Sequence, residues 1–175
     1  VGATSTKVRF SNGAIDFDVV FTSPFLMDDL KVMSRPLAYV TFVVSSADGK
    51  PHDVAIYFDA TSQLCLNDPA KSDAIAEAFN CAGLKGARVG NSNQENMLDA
   101  TGDNMRIDWG WLALFPMDSG AQALPGNAYL RRVFTDTGKL DMDVEVWGGR
   151  KPEDVRLPLV AVKLEMGVFK QPVSK

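Results

Sequence analysis

Two tryptophans, Trp109 and Trp111, are the residues whose type and spacing most suggest chemistry. Two positions apart on a strand they share one face, and a pair of exposed indoles can stack on sugar rings. Burial in a core, or contact with another domain, is the commoner fate of large aromatics in a chain of this size. Trp147 lies too far along the sequence to be joined to the pair. Trp109 and Trp111 are therefore candidate ligand-binding or domain-interface residues.

Other chemistries find less material. Histidine is the usual general base and a common metal ligand, and the chain has one, His52, beside an Asp48-Gly49 turn. That position suits a histidine in an exposed turn. Cys65 and Cys81 have no neighbouring His or basic cluster to favour a thiolate, and they read as free thiols rather than a disulfide framework. Asp141, Asp143 and Glu145 alternate and could offer oxygens to Ca²⁺, but the rest of an EF-hand loop is missing. They read as a solvated strand face, as do Asp16 with Asp18 and Asp28 with Asp29. No Gly-x-Ser-x-Gly, phosphate-cradling glycine loop or zinc-ligand spacing occurs. No catalytic residue, metal ligand or cofactor is assigned from the sequence.

The composition narrows the classes further. A chain of 175 residues can bury one continuous core without metals or disulfides. Its 46% hydrophobic and 23% charged content is ordinary for a folded domain. A net charge of −4, with Arg131-Arg132 as the longest basic run, argues against nucleic acid as a partner. No apolar run approaches the roughly 20 residues that a membrane span requires. The first six residues, Val1-Gly2-Ala3-Thr4-Ser5-Thr6, lack the basic start and apolar core of a signal peptide. A first residue other than Met reads as a processed product or a piece excised from a larger protein.

Strand signals dominate the elements that must position these residues. Residues 7–22 form a hairpin pattern around Asn12-Gly13, with Ile15, Phe17, Val19 and Phe21 on one face. Pro24 ends it, and one helical turn is expected within 25–33. Residues 35–60 read as a second hairpin around Asp48-Gly49, in which Val40, Phe42 and Val44 meet Val54, Ile56 and Phe58. Residues 70–78 are ambiguous. Asp68-Pro69 suits a helix start, whereas Ile75, Glu77 and Phe79 alternate as in a strand. Strands are expected over 84–89, 105–115, 144–147 and 157–164, and a short amphipathic helix over 129–134. The tail, 170–175, reads as a linker toward a missing downstream domain. The sum is an all-β chain: one antiparallel β-sandwich domain over 1–175 with one or two short helices.

Two blocks carry a more specific likeness. One runs Ser34-Arg35-Pro36-Leu37-Ala38-Tyr39-Val40-Thr41-Phe42, then Asp48-Gly49-Lys50-Pro51-His52-Asp53-Val54 and Tyr57-Phe58-Asp59-Ala60. The other is Asp103-Asn104-Met105-Arg106-Ile107-Asp108-Trp109-Gly110-Trp111-Leu112. With Phe21-Thr22-Ser23-Pro24, Asp28-Asp29-Leu30 and Thr137-Gly138-Lys139-Leu140 in the same order, they resemble the non-catalytic β-sandwich domain of the glutaminase A family, large secreted proteins of fungi and bacteria. Residues 63–82 depart from that pattern. In the family the sandwich precedes a helical toroid domain that carries the amidohydrolase chemistry, and none of that domain's residues maps here. The resemblance implies an accessory domain whose partner is a downstream catalytic domain of the same polypeptide, in a secreted or periplasmic setting. A glycan is the alternative partner.

Overall fold

A computed structural model of the chain describes residues 2–68, 73–94, 108–140, 146–150 and 157–175. The strands of the first half are β1 (Ser5–Ser11), β2 (Ile15–Thr22), β3 (Tyr39–Ser46), β4 (His52–Thr61) and β5 (Ala74–Cys81). They are followed by β6 (Leu84–Asn91), β7 (Trp111–Leu114), β8 (Gln122–Gly126), β9 (Val146–Arg150), β10 (Leu159–Phe169) and β11 (Val173–Ser174). Two short helices, α1 (Leu30–Met33) and α2 (Tyr129–Thr137), and a 3₁₀ turn (Ser62–Cys65) complete the elements. The chain is thus an antiparallel, sandwich-like all-β fold. Its residues group into two compact units, Val1–Val54 with Met166–Lys175, and Ala55–Glu165.

The first unit holds a sheet of order β1-β2-β3-β11. Its first hairpin forms as the Asn12-Gly13 signal predicts, with Ser5 opposite Thr22 and Ser11 opposite Asp16. Asn12 Oδ1 accepts from the backbone N–H groups of Ala14 (3.0 Å) and Ile15 (2.9 Å), and Gly13 takes φ +86°. The polar face of this hairpin differs from expectation. Asp18 is buried, not solvated, because Arg9 lies directly opposite it and donates to both its oxygens, at 2.7 and 2.9 Å. Lys7 Nζ approaches the same carboxylate at 2.7 Å. On the other face Phe17 stacks between Phe10 and Phe42, each with ring centroids 6.0 Å away.

The expected hairpin over 35–60 does not form. β3 pairs with β2 along one edge and with β11 at Val43 and Val44 on the other, while β4 pairs with β10 in a separate sheet. The Asp48-Gly49 turn therefore hands the chain from one sheet to the next. The tail read as a linker is paired to its end: β11 lies along β3, and Lys175 exchanges backbone hydrogen bonds with Phe42 at 2.7 and 2.9 Å.

The second unit layers the sheet β4-β10-β8 on the sheet β7-β6-β5-β9. Between them lie Ala60, Val160, Ala76, Ala87 and Val89, with Cys65, Leu112, Leu114 and Ala123 packed around them. Of the ambiguous stretch, residues 74–81 are strand, with Ala74 and Ala76 buried and Ala76 part of this core, while 69–72 lie outside the described residues. A two-residue turn joins β5 to β6, with positive φ at both Ala82 (+50°) and Gly83 (+84°), the geometry that matches hairpin twist.

Across the sheet β4-β10-β8, α2 covers the opposite face. Leu130 of α2 packs with Leu140, Leu159 and Ala161, and Tyr57 and Leu124 close the cluster. Asn127 Oδ1 accepts from the Tyr129 N–H at 2.8 Å at the start of the helix, and Gly138 at φ +67° ends it. Arg131 clamps the helix to β4 by donating to both oxygens of Asp59, at 2.6 and 2.8 Å.

Two predictions follow from these contacts. Leu130→Ala should destabilise the fold by about 2–5 kcal/mol through the cavity it leaves, read by chemical denaturation; a loss below about 1 kcal/mol would mean the helix is not packed as described. For Asp18, the hydrogen bonds from Arg9 and then Lys7 hold the carboxyl well below the usual carboxylate range. A depressed native pKa contributes stability above the unfolded value of about 3.9 and loses it as pH falls. Asp18→Asn should therefore lower the thermal midpoint at neutral pH and flatten its fall between about pH 5 and pH 2. An acid slope identical to that of the parent chain would refute the role given to Asp18.

Candidate functional site

The sheet β7-β6-β5-β9 turns one face to the core, so alternation sends the other residues of its strands outward. The register sets Trp111 beside Gly90, Ala113 beside Arg88, Arg88 beside Glu77, and Gly86 beside Phe79. These residues share the outer face. Arg88 is its centre. Its guanidinium carbon lies 4.0 Å from the Trp111 ring centroid and 4.3 Å from that of Phe79. Its Nε donates to Glu77 Oε1 at 2.7 Å. Phe115 extends the row, 5.8 Å from Phe79.

Two glycines of β6 make room for the rings. A Cβ at Gly86 would stand 2.5 Å from Phe115 Cδ1 and from the Leu114 carbonyl oxygen. At Gly90 it would stand 2.6 Å from the Gly110 carbonyl oxygen and 3.0 Å from Trp111 Cε3. Both rings therefore lie against strand backbone, where any other residue would hold them off.

The two tryptophans sit differently from the expectation of one long strand over 105–115. Within the described residues β7 begins only at Trp111, and Trp109 occupies the bend before it. Gly110, at φ +86°, interrupts the alternation that a shared strand face needs. Residues 105–107 lie outside the described residues. The bend is built rather than loose. Gln94 Oε1 accepts from the Gly110 N–H at 2.5 Å, while its Nε2 donates to the carbonyls of Gly110 (3.1 Å) and Asn91 (2.7 Å). Asp108 Oδ1 accepts from the Asn67 N–H at 3.1 Å. Both indoles reach the surface, Trp109 at 38% exposure and Trp111 at 36%.

The remaining candidates are taken up in structural pairs. His52 and Asp48 meet at 2.8 Å, and Asp48 also accepts from the Ser46 hydroxyl (3.0 Å) and the Lys50 N–H (2.9 Å). The His52 hydrogen bond and then the Lys50 N–H hold the Asp48 carboxyl at about 2. Ser46 and His52 both bond the carboxylate, whereas nucleophilic catalysis needs the imidazole between hydroxyl and carboxylate. The cluster braces the turn. Asp29 caps α1, its Oδ1 accepting from the Val32 N–H at 3.0 Å. Both cysteines are free, and burial pushes the Cys65 thiol up, away from thiolate reactivity. Asp141, Asp143 and Glu145 lie outside the described residues, as does the Trp147 side chain. Among the described residues no three His, Cys, Asp or Glu side chains gather as metal ligands, and no helix is long and apolar enough to cross a membrane.

Arg88, Glu77 and Phe79 are the part of this face that reading the sequence missed. The Gly86-x-Arg88-x-Gly90 pattern was visible, but only the register shows that two rings fill the places beside the glycines.

Comparison with known proteins adds two findings. The model of a family described as a domain of unknown function, DUF5127, matches residues 4–175. Glutaminase A of Aspergillus oryzae (strain ATCC 42149 / RIB 40) is similar at 27% identity over 142 residues, which cover 78% of this chain and 20% of that protein. This chain thus spans about a fifth of the curated relative's length.

Gly90→Ala tests how the exposed face is built. It should cost about 1–3 kcal/mol by forcing the Trp111 ring and the Gly110 bend away from β6, and it should shift the tryptophan emission maximum. An unchanged spectrum at unchanged stability would contradict the contact.

Proposed function

The chain belongs to the DUF5127 family, and from that premise we propose that it is a non-catalytic accessory β-sandwich domain of a longer, glutaminase-like amidohydrolase. The parent would hydrolyse the side-chain amide of L-glutamine to L-glutamate and ammonia, with the chemistry housed in a helical domain against which this one packs. One observation carries the reading: similarity to Glutaminase A extends over most of this chain but only a fifth of that protein. The polar side chains support it. Asp18, Asp48, Asp59 and Glu77 are each engaged by a cation or a histidine within the fold, so they serve its geometry. A secreted or periplasmic setting belongs to the same proposal.

Ammonia release from glutamine tests it. The 175-residue chain should give none above buffer, whereas the polypeptide carrying the downstream domain should turn over. Turnover by the short chain would sink the proposal.

The exposure of both indoles favours one second reading, a carbohydrate-binding module in which Trp109 and Trp111 stack on a glycan. Titration with soluble oligosaccharides should then quench tryptophan emission in the parent chain and not in a Trp109→Ala, Trp111→Ala variant. A flat titration removes this reading.

A further inference from the structure

The connection from β2 to β3 spans residues 23–38, and because Thr22 pairs with Tyr39 it lies beyond one end of the first unit's sheet. That end is unusually apolar. Phe25, Leu26, Met27 and Leu30 are all exposed, Met27 at 76% and Leu30 at 72%, and Tyr39 adds its ring at the strand end. α1, at four residues too short to persist by itself, buries none of its side chains completely and rests on the Asp29 cap. Charges flank the patch in balance, Asp28 and Asp29 against Lys31 and Arg35, which is the composition of an interface with an apolar centre and polar rim. Four exposed large apolar residues within six positions are more than scattered surface hydrophobics.

The direction of β11 says what covers the patch. β11 runs antiparallel to β3, with Val173 opposite Val44, Ser174 opposite Val43, and Lys175 bonded to Phe42. Each further residue moves the chain toward Tyr39, so a continuation of three residues, about 10 Å of strand, arrives at the apolar end. The β3 edge beside Thr41, Val40 and Tyr39 lies ahead of β11 and can take that continuation.

We propose that this end of the sheet, centred on Phe25, Leu26, Met27 and Leu30, is the docking surface for the domain that follows Lys175 in the same polypeptide. The inference rests on the accessory-domain reading above, and the relative, about four times as long as this chain, has the length to supply the occupant. The strand continuing from β11 along β3 delivers that domain to the patch.

Hydrogen exchange on the full natural polypeptide, set beside the 175-residue chain, tests the surface. Backbone amides of residues 24–38 should exchange about tenfold or more slowly in the longer protein. A Met27→Asp, Leu30→Asp variant should restore fast exchange there while leaving the thermal midpoint of the short chain unchanged, since both side chains are exposed. Equal exchange of 24–38 in the two proteins overturns the surface. If residues 108–115 are protected instead, the domain docks elsewhere and the accessory reading stands. If no segment is protected, the accessory reading falls as well.

Discussion

The second unit depends on a strand buried on both faces. From Leu159 to Val162 every side chain of β10 is out of water, so a layer is required on each side of it. Val160 points into the contact with the sheet β7-β6-β5-β9, while Leu159 and Ala161 point into the contact with α2. Each fully buried Val or Leu contributes about 1.5–3 kcal/mol by leaving water, and that gain exists only if both layers are in place. The helix is therefore not an ornament on a sandwich. Asp59, on the β4 face that α2 covers, supplies the clamp for Arg131 because Leu130 has already brought the helix down.

Legibility in the sequence followed the range of the interaction. The first hairpin was readable because Asn12 and Gly13 encode their own turn, through a side-chain acceptor and a positive φ that only local residues decide. α2 was readable over 129–134 from its amphipathic spacing, with its stop at Gly138 adding a turn. The pairing of β4 was not readable. Alternation marks a segment as strand and marks its buried face, but the edge it bonds to is chosen by every other strand competing for that edge. β3 is paired by β2 along its length and by β11 at Val43 and Val44, and β4 is paired by β10. The β5–β6 turn escaped notice because Ala82 takes a positive φ that its residue type does not advertise.

The candidate site shows the same division. Trp109 and Trp111 stand out by residue type alone. Their separation onto a bend and a strand depends on Gly110 and on Gln94, whose amide grips the Gly110 peptide from sixteen positions away. Arg88 is unremarkable as one charged residue on a strand. It becomes central only when two neighbouring strands bring Phe79 and Trp111 to either side of it and Glu77 to its nitrogen. Asp18 likewise reads as surface until Arg9 is set opposite it.

The glycines beneath the aromatic rings carry a consequence for how this family can diverge. A Cβ at Gly90 or Gly86 would meet a backbone carbonyl as well as the Trp111 or Phe115 ring, so a smaller ring alone would not make room for it. In related chains both β6 positions should therefore stay glycine even where the residue lying over them changes. Divergence of the outer face is thus left to its side chains, while the strand backbone on which they lie holds the two glycines fixed.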